Sequence, residues 1–335
     1  MSQAPKQRTK LLYLRKILLE KTDEQNPMTM RELISELAVY DIHAERKTIY
    51  NDLEILRQYG VDVEIIKGKV QGYYVANRQF ELPELKLLVD AVQSSRFITE
   101  KKSVELIAKL SSLTSEAQAA DLKRHIFVAD RPKSINEQSY YNVDAIHAAI
   151  NNGKRVTFKY FDYDANKNRV FRKDGLVYEV TPITLCWDSD KYYLVAYSAE
   201  HNELRNYRVD RMSDVAMSDI DGDDFDKTKF NATEYIKGMF GMFGGKIVRA
   251  KLAFDNNFVN VVLDYFGKDT RITPRDDEQF EVKVDVTVSP VFFGWIFQFG
   301  GKAQILSPDC LVDALRDLIK ANSSIYDVVS KREDT

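Results

Sequence analysis

The stretch AERKTIYNDLEILRQYG, from Ala44 to Gly60, decides the fold of the N-terminal part of the chain. Read at the helical period, Ile49, Leu53 and Leu56 fall on one face, and Gly60 is the residue type that commonly ends a helix. The other face carries side chains that can reach phosphates and base edges, namely Arg46, Lys47, Tyr50, Asn51 and Arg57. A helix of this kind suits a DNA major groove, although many solvated helix faces look similar.

The segments on both sides of this helix predict a small DNA-binding domain. Two amphipathic helices precede it, at Lys10 to Lys21 and Thr29 to Val39, and a capping box formed by Thr29 and Glu32 opens the second. Two apolar runs follow it, separated by the turn Lys67-Gly68-Lys69, which is typical of a β-hairpin. Helices followed by a basic hairpin give the order of a winged helix-turn-helix, although a plain three-helix bundle gives the same pattern.

Length and composition limit the class of protein. A chain of 335 residues exceeds one usual hydrophobic core, so two or three domains are expected. The net charge of −3 means that any DNA contact comes from a local basic patch on an acidic body. The two cysteines, Cys186 and Cys310, are too few for a disulfide framework or a thiolate metal cluster.

No catalytic or membrane signal stands out. The four histidines are scattered, and no G-x-S-x-G, P-loop or G-x-G-x-x-G motif occurs. Cys186 follows a strand pattern and is expected to be buried rather than nucleophilic. No apolar run is long enough to span a membrane. The chain is therefore predicted to be a cytoplasmic protein that is not an enzyme and has no cofactor and no metal.

The pattern changes after the N-terminal half. Two further helices are predicted between Phe80 and Thr114, and one from Val143 to Ile150. Short strands with polar turns then predict a small, bent antiparallel barrel. These strands are Arg155 to Tyr163, Val170 to Thr181, Ile183 to Trp187, Lys191 to Ser198 and Glu203 to Met212. The stretch from Ser218 to Gly245 is predicted to be a linker, and the tail from Lys246 has a β-α-β-β-α order typical of ferredoxin-like folds.

The last barrel strand carries the candidate ligand-binding residues. The strand period of two places Arg208 and Asp210 on one face and Arg211 on the other. An arginine is a fork-shaped donor suited to phosphate, and nearby tyrosines offer stacking surfaces. The same residues could equally form a structural ion-pair network, and Tyr193, which alternates inward with Val195, could belong to the core.

Several motifs resemble those of bacterial transcriptional regulators that carry a WYL domain. The run from Asp190 to Tyr197 is similar to the WYL signature, with Tyr192 in the tryptophan place. The run from Asn206 to Met212 is similar to the closing strand of that domain. The Ala44 to Gly60 helix with the Gly72-Tyr73-Tyr74 wing resembles the family's DNA-binding segment. The segment from Phe240 to Gly245 resembles the family's connection to a C-terminal extension.

The resemblance implies an α+β chain with five parts. It implies a winged helix-turn-helix (residues 1–79), a helical linker and dimerisation region (80–135), a small Sm-like β-barrel of WYL type (136–220), a linker (221–245) and a ferredoxin-like α/β C-terminal domain (246–330). It further implies a homodimer that binds double-stranded DNA and senses an anionic or nucleotide-like effector, which includes single-stranded oligonucleotides.

The candidate residues form two sets. The expected DNA-binding residues are Arg46, Lys47, Thr48, Tyr50, Asn51, Lys67 and Lys69, with Asp52 expected to be structural. The expected ligand-binding residues are Tyr193, Arg205, Tyr207, Arg208, Asp210 and Arg211. One alternative is a single-stranded nucleic-acid-binding protein that uses the small barrel as its main surface. Another is an enzyme acting on a nucleotide, which would need a positioned base or metal.

Overall fold

The chain divides into two compact units, Met1–Glu137 and Gln138–Thr335. The computed structural model describes residues 4–68, 71–124, 133–225, 230–231, 235, 239–243 and 245–333. Within these ranges, no helix combines the length and the apolar character that crossing a membrane requires.

The first unit begins with helices and a small antiparallel sheet. Its elements are α1 (Ala4–Lys21), β1 (Met28–Thr29), α2 (Met30–Val39), α3 (Arg46–Gln58), β2 (Val63–Ile66) and β3 (Gly72–Val75). The strand order is β1-β3-β2, so the predicted hairpin has a third, unpredicted strand on the far side of β3. The capping box at the start of α2 is confirmed, because the Thr29 and Glu32 side chains each accept the other residue's backbone N–H.

The apolar face of α3 lies in the core of this unit. Ile49, Leu53 and Leu56 are almost fully buried and share one cluster with residues of α1, α2 and the hairpin. Asp52 lies on the same buried side and forms an ion pair with Lys10 of α1, at 2.7 Å between Nζ and Oδ2. The prediction that Asp52 is structural agrees with this position.

A helical region completes the first unit. It consists of α4 (Leu82–Ser94), α5 (Glu100–Ser111) and α6 (Glu116–Arg124), the last of which the sequence pattern did not predict. Arg78, just before α4, donates hydrogen bonds to the carbonyl oxygens of Leu19 and Thr22 at 2.7 and 2.6 Å. The Ser115 hydroxyl, just before α6, donates to the buried carboxylate of Asp23. The helical region is therefore hydrogen-bonded to the end of α1.

The second unit begins with a helix and a curled antiparallel sheet. Its elements are α7 (Ser139–Asn151), β4 (Lys154–Tyr163), β5 (Arg169–Phe171), β6 (Tyr178–Asp188), β7 (Lys191–Ser198), β8 (Glu203–Arg208) and β9 (Met212–Asp221). The order is β5-β4-β6-β7-β8, and β9 also pairs with β4. Helix α7 is fixed to the sheet by the Asn142 side chain, which donates to the Met212 carbonyl oxygen at 3.1 Å.

Several of the predicted strand boundaries in this sheet are wrong. The strand expected at Val170 to Thr181 is interrupted by a tight turn, in which Lys173 and Asp174 adopt positive φ values of 50° and 54°. The strands expected on either side of Pro182 form one strand, because a β-bulge accommodates the break in register there. The segment from Ser218 to Asp221, expected to begin a linker, instead belongs to β9.

The rest of the second unit is a sheet with helices packed against it. Its elements are β10 (Ile247–Asp255), α8 (Val259–Phe266), β11 (Ile272–Pro274), β12 (Gln279–Thr287), α9 (Pro290–Phe297), β13 (Ala303–Ser307) and α10 (Asp309–Glu333). The strand order is β11-β12-β10-β13. Strand β13 was not predicted, and it turns the expected order into β-α-β-β-α-β followed by a last helix. Aromatic side chains such as Phe254, Phe280 and Phe292 fill the core.

Truncating a buried residue of α3 should destabilise the first unit. We expect Leu53→Ala to lower its free energy of unfolding by about 2–5 kcal/mol, because the change leaves a cavity in a packed core. The measurement is native-state hydrogen exchange of the α3 amides in the full chain. The matched control is Ile55→Ala on the same helix, where the side chain is 40% exposed. Equal effects of the two substitutions would contradict the burial described here.

Candidate functional site

The exposed face of α3 is the first candidate site. Arg46, Lys47, Thr48, Tyr50 and Asn51 are all exposed, while the helix buries its other face in the core. The sequence therefore placed these five side chains on the exposed face correctly. The face combines two cations, an amide and two hydroxyls, which are the donors and acceptors that DNA bases and phosphates can pair with.

Arg46 has a fixed position on this face. Its Nε and Nη2 atoms donate to the Tyr50 hydroxyl oxygen at 3.2 and 3.0 Å, and these hydrogen bonds lower the pKa of Tyr50. The Tyr50 ring in turn meets the Tyr73 ring of β3 edge-on, with 6.4 Å between centroids. Burial and the neighbouring Tyr50 raise the pKa of Tyr73 to about 12. The hairpin thus supports Tyr50, and Tyr50 holds Arg46.

Arg57 does not belong to this site, although the helical pattern placed it on the polar face. Its Nε donates to the Val63 carbonyl oxygen at 2.8 Å, and its guanidinium pairs with Glu54 at 3.1 Å. Arg57 therefore joins α3 to β2. Lys67 at the hairpin turn is exposed, as a phosphate contact requires. Lys69, the other predicted wing residue, lies outside the described residues.

The second candidate site lies at the end of β8. The predicted strand alternation beyond Arg208 is wrong, because residues 209–211 form a 3-10 turn. This turn brings the Asp210 carboxylate back to Arg208, which donates from Nε and Nη2 at 3.0 and 2.7 Å. Burial alone would lower the pKa of the Arg208 guanidinium, but the Asp210 carboxylate outweighs it and raises that pKa.

A second carboxylate holds two more arginines beside this pair. Asp162 of β4 accepts from Arg172 at 2.6 Å and also from Arg211. The hydrogen bond from Arg172, helped by both positive charges, lowers the pKa of Asp162. Sequence reasoning missed Arg172, because it was assigned to a continuous strand rather than to the turn that directs it towards β4.

These arginines converge on a tyrosine of β4. The Tyr160 hydroxyl accepts the backbone N–H of Arg208 at 3.2 Å, and the Arg172 guanidinium lies 5.1 Å from the Tyr160 ring centroid. Tyr160 packs in turn against Tyr178 and Tyr207, with ring centroids 6.2 and 5.7 Å away. We call Arg172, Arg208, Arg211, Asp162, Asp210 and Tyr160 the arginine cluster.

Of the remaining predicted ligand-binding residues, Tyr207 packs against Tyr160 of the cluster. Tyr193 and Tyr207 are each more than nine-tenths buried, and Arg205 pairs with Glu203 at 2.8 Å. Tyr193 lies in an apolar group with Cys186, Val195, Met239 and Met242, so the core alternative considered for Tyr193 describes its surroundings. Cys186 is buried as expected, and burial raises the pKa of its thiol to about 11.

The segment Met239–Met242 lies against the strand that carries the cluster. The Asn206 amide of β8 donates to the Met242 carbonyl oxygen at 3.0 Å and to the Met239 sulfur at 3.4 Å. The Tyr235 hydroxyl donates to the Asn206 side-chain oxygen at 3.2 Å. Phe240, between the two methionines, is buried instead in the core around β10 and α9. One short segment therefore contributes side chains to two cores.

Comparison with known proteins identifies the class of this chain. Residues 141–217 match the WYL domain family, and residues 227–321 match the WCX domain family. The chain thus contains a WYL domain followed by a WCX domain. The family resemblance read from the sequence is confirmed.

Two of the proteins that are similar to the chain can be described individually. One is the uncharacterized HTH-type transcriptional regulator YobV of Bacillus subtilis (strain 168). It is 21% identical over 298 residues, which are 84% of this chain and 90% of YobV. It is described as a regulator and not as an enzyme, in agreement with the expectation of no enzymatic activity. The other is the solved structure of proteasome accessory factor B/C (PafBC) of Arthrobacter aurescens, at 18% identity and a TM-score of 0.26. The match covers 93% of this chain but only 46% of that one.

The arginine cluster should make stability depend on pH through Asp162. Its pKa is lowered in the folded state, so its contribution is present above the unfolded pKa and is lost as the pH falls through the lower folded value. We therefore expect Asp162→Asn to reduce the fall in melting temperature between neutral pH and about pH 3. Arg172→Gln, which removes the main donor, should reduce it as well. An unchanged pH dependence in both variants would contradict the geometry.

Proposed function

We propose that the chain is a DNA-binding transcriptional regulator and that α1 to α3 with β1 to β3 form a winged helix-turn-helix. In this proposal α3 lies in the major groove and the hairpin β2–β3 is the wing. The observation that carries the proposal is the exposed polar face of α3 over a fully packed apolar face. The description of YobV as an HTH-type regulator supports it.

The residues of the proposed interface have distinct roles. Asn51 suits bidentate pairing with adenine, and Arg46 and Lys47 suit guanine or phosphate. Thr48 and Tyr50 add hydroxyl groups on the same side of the helix. Lys67 and Lys69 of the wing would contact the phosphate backbone, where they add affinity without sequence preference.

We further propose a homodimer. Two copies of α3 would occupy successive major grooves about one DNA turn apart, over a palindromic site. The helical region at residues 80–135 would contribute to the dimer contact. Leu87 on α4 and Val104 on α5 support this role, because they are 71% and 66% exposed. We also propose the five domain boundaries expected from the sequence and a cytoplasmic location. We propose a ferredoxin-like fold for the C-terminal domain, which the strand order β11-β12-β10-β13 supports.

The WYL domain would sense an anionic or nucleotide-like effector at the arginine cluster. Three guanidinium groups lie near the ring of Tyr160, which offers the mixture of charge and aromatic surface that a nucleotide needs. Tyr193, Arg205 and Tyr207 would shape or support the site. Because Asp162 and Asp210 already pair with these arginines, an effector phosphate would replace carboxylate partners. Such an exchange could shift the population between two dimer geometries.

The DNA-binding proposal predicts which substitutions abolish binding. Genomic fragments selected by the purified protein provide the DNA, and fluorescence anisotropy measures affinity. We expect Lys47→Ala and Asn51→Ala each to weaken binding by about tenfold or more, since a good base contact contributes about 1–3 kcal/mol. Lys268→Ala, at an exposed lysine just after α8 and outside both the α3 face and the proposed dimer region, is the matched control and should bind as wild type does.

The same assay separates this proposal from its main rival. A single-stranded nucleic-acid-binding protein that uses the small barrel would recover no discrete site, and Lys47→Ala would leave its binding unchanged. If Arg208→Ala abolishes binding and Lys47→Ala has no effect, the single-stranded nucleic-acid-binding alternative is correct and the regulator proposal is wrong.

The effector proposal predicts a separate loss. With a labelled single-stranded 12-nucleotide probe, Arg208→Ala should weaken binding by about tenfold or more, because it removes a charged bidentate donor. Asp210→Asn should retain binding, because the guanidinium loses a competing carboxylate. The control is Arg316→Ala on α10, which removes an exposed arginine outside the cluster. Equal binding by the Arg208 and Arg316 variants would contradict the assignment of this site.

A further inference from the structure

The sheet of the WCX domain has an edge that is only partly covered. Strand β12 runs for nine residues, but β11 pairs with it only from Phe280 to Val282. At Arg271 the chain leaves the edge of β12. A groove of about 890 Å³ lies there, lined among others by Arg271, Lys283 and Asp285.

The hydrogen-bond pattern shows which backbone groups face this groove. The Arg275 N–H donates to the Gln279 carbonyl oxygen at 2.9 Å, which marks a hydrogen-bonded pair where β11 and β12 meet. Such pairs alternate along an antiparallel ladder, so Glu281 is the next residue of β12 to direct its N–H and C=O towards β11. By the same alternation, Lys283 and Asp285 direct their backbone N–H and C=O groups to this side of β12. There they lie beyond the end of β11.

The charges along this edge favour an acidic partner. Lys283 lies directly opposite Lys251 of β10, and like charges at such positions destabilise a sheet. Lys251 is neutralised by Glu281 at 2.7 Å, and Asp285 by Arg249 at 2.8 Å. Within the part of the chain that the structure describes, Lys283 and Arg271 have no ion-pair partner. The lining also contains Asp269, an exposed acid in addition to Glu281 and Asp285.

The length of the open edge argues against a second copy of this chain as the occupant. The open stretch lies between Val282, which pairs with β11, and Thr287, which is fully buried. The β12 strand of a second copy would extend past both limits and run into β11. A short flexible segment can pair with Lys283 to Asp285 and then turn away.

We propose that this groove binds a short extended peptide of another protein, which adds to the edge of β12 as a strand and places an acidic side chain against Lys283 and Arg271. Main-chain hydrogen bonds to Lys283 and Asp285 supply the affinity, and the two cations supply the preference for acidic residues. This interaction is independent of the DNA-binding proposal, because it uses neither α3 nor the arginine cluster.

The test selects peptides from a random linear 12-residue phage library against the full-length protein. Enriched peptides are synthesised, and their affinities are measured by fluorescence anisotropy without DNA. We expect enrichment of peptides with Asp or Glu, and a loss of about tenfold or more for Lys283→Glu, since a favourable charge contact becomes repulsive. Lys302→Glu changes an exposed lysine outside the groove and should bind as wild type does.

A chemical control tests the strand pairing itself. Two versions of the peptide are made, in which either the odd-numbered or the even-numbered backbone nitrogens are methylated. Only one of these two sets contains the N–H groups that an added strand donates to β12, so only one version should lose binding. Asp285→Pro removes the N–H that β12 would donate to the added strand and should weaken binding as well. The fold should tolerate this change, since proline is accepted where a strand N–H faces away from its sheet. Absence of enriched peptides, or binding that neither Lys283→Glu nor N-methylation weakens, would overturn the proposal.

Discussion

Burial of one face of α3 is the constraint on which the first unit depends. Ile49, Leu53 and Leu56 are packed against α1, α2 and the hairpin, and the ion pair between Asp52 and Lys10 fixes the same side of the helix. Because α3 is amphipathic and its apolar face is the one that is buried, its polar face is left to solvent, and the position of Arg46, Lys47 and Asn51 follows from the core. The proposed DNA-binding face of α3 is therefore a consequence of packing, and substitutions in the core should alter its position.

In the second unit, one strand connects the arginine cluster with the WCX domain. Arg208 and Asn206 are two residues apart on β8, and Asn206 holds the segment that places Phe240 in the WCX core. Side chains two apart on a strand share a face, so a movement of β8 at Arg208 would also displace Asn206. This arrangement gives the proposed effector site a physical route to the C-terminal domain.

The sequence predicted those features that depend on local periodicity and missed those that depend on distant pairing. The faces of α3 and the capping box at Thr29 follow from neighbouring residues, and both were predicted correctly. The pairing of β1 with β3, and strand β13 at Ala303–Ser307, depend on partners far along the chain. At the candidate site, Arg208 was identified and its pairing with Asp210 was one of the alternatives considered. The 3-10 turn that brings the two together was not predicted, because it has no strand or helix period. Arg172 was missed for a related reason, since an unexpected turn at Lys173 and Asp174 directs it.

The most direct test of the central claim, that α3 reads DNA in the major groove, is methylation interference on a selected genomic fragment. Methylation of guanine N7 blocks contacts in the major groove and leaves the minor groove unchanged. The account predicts two short groups of interfering guanines, about one helical turn apart, that no longer matter when Lys47 and Asn51 are replaced by alanine. Binding that is indifferent to guanine methylation, or interference that persists in the double variant, would contradict it.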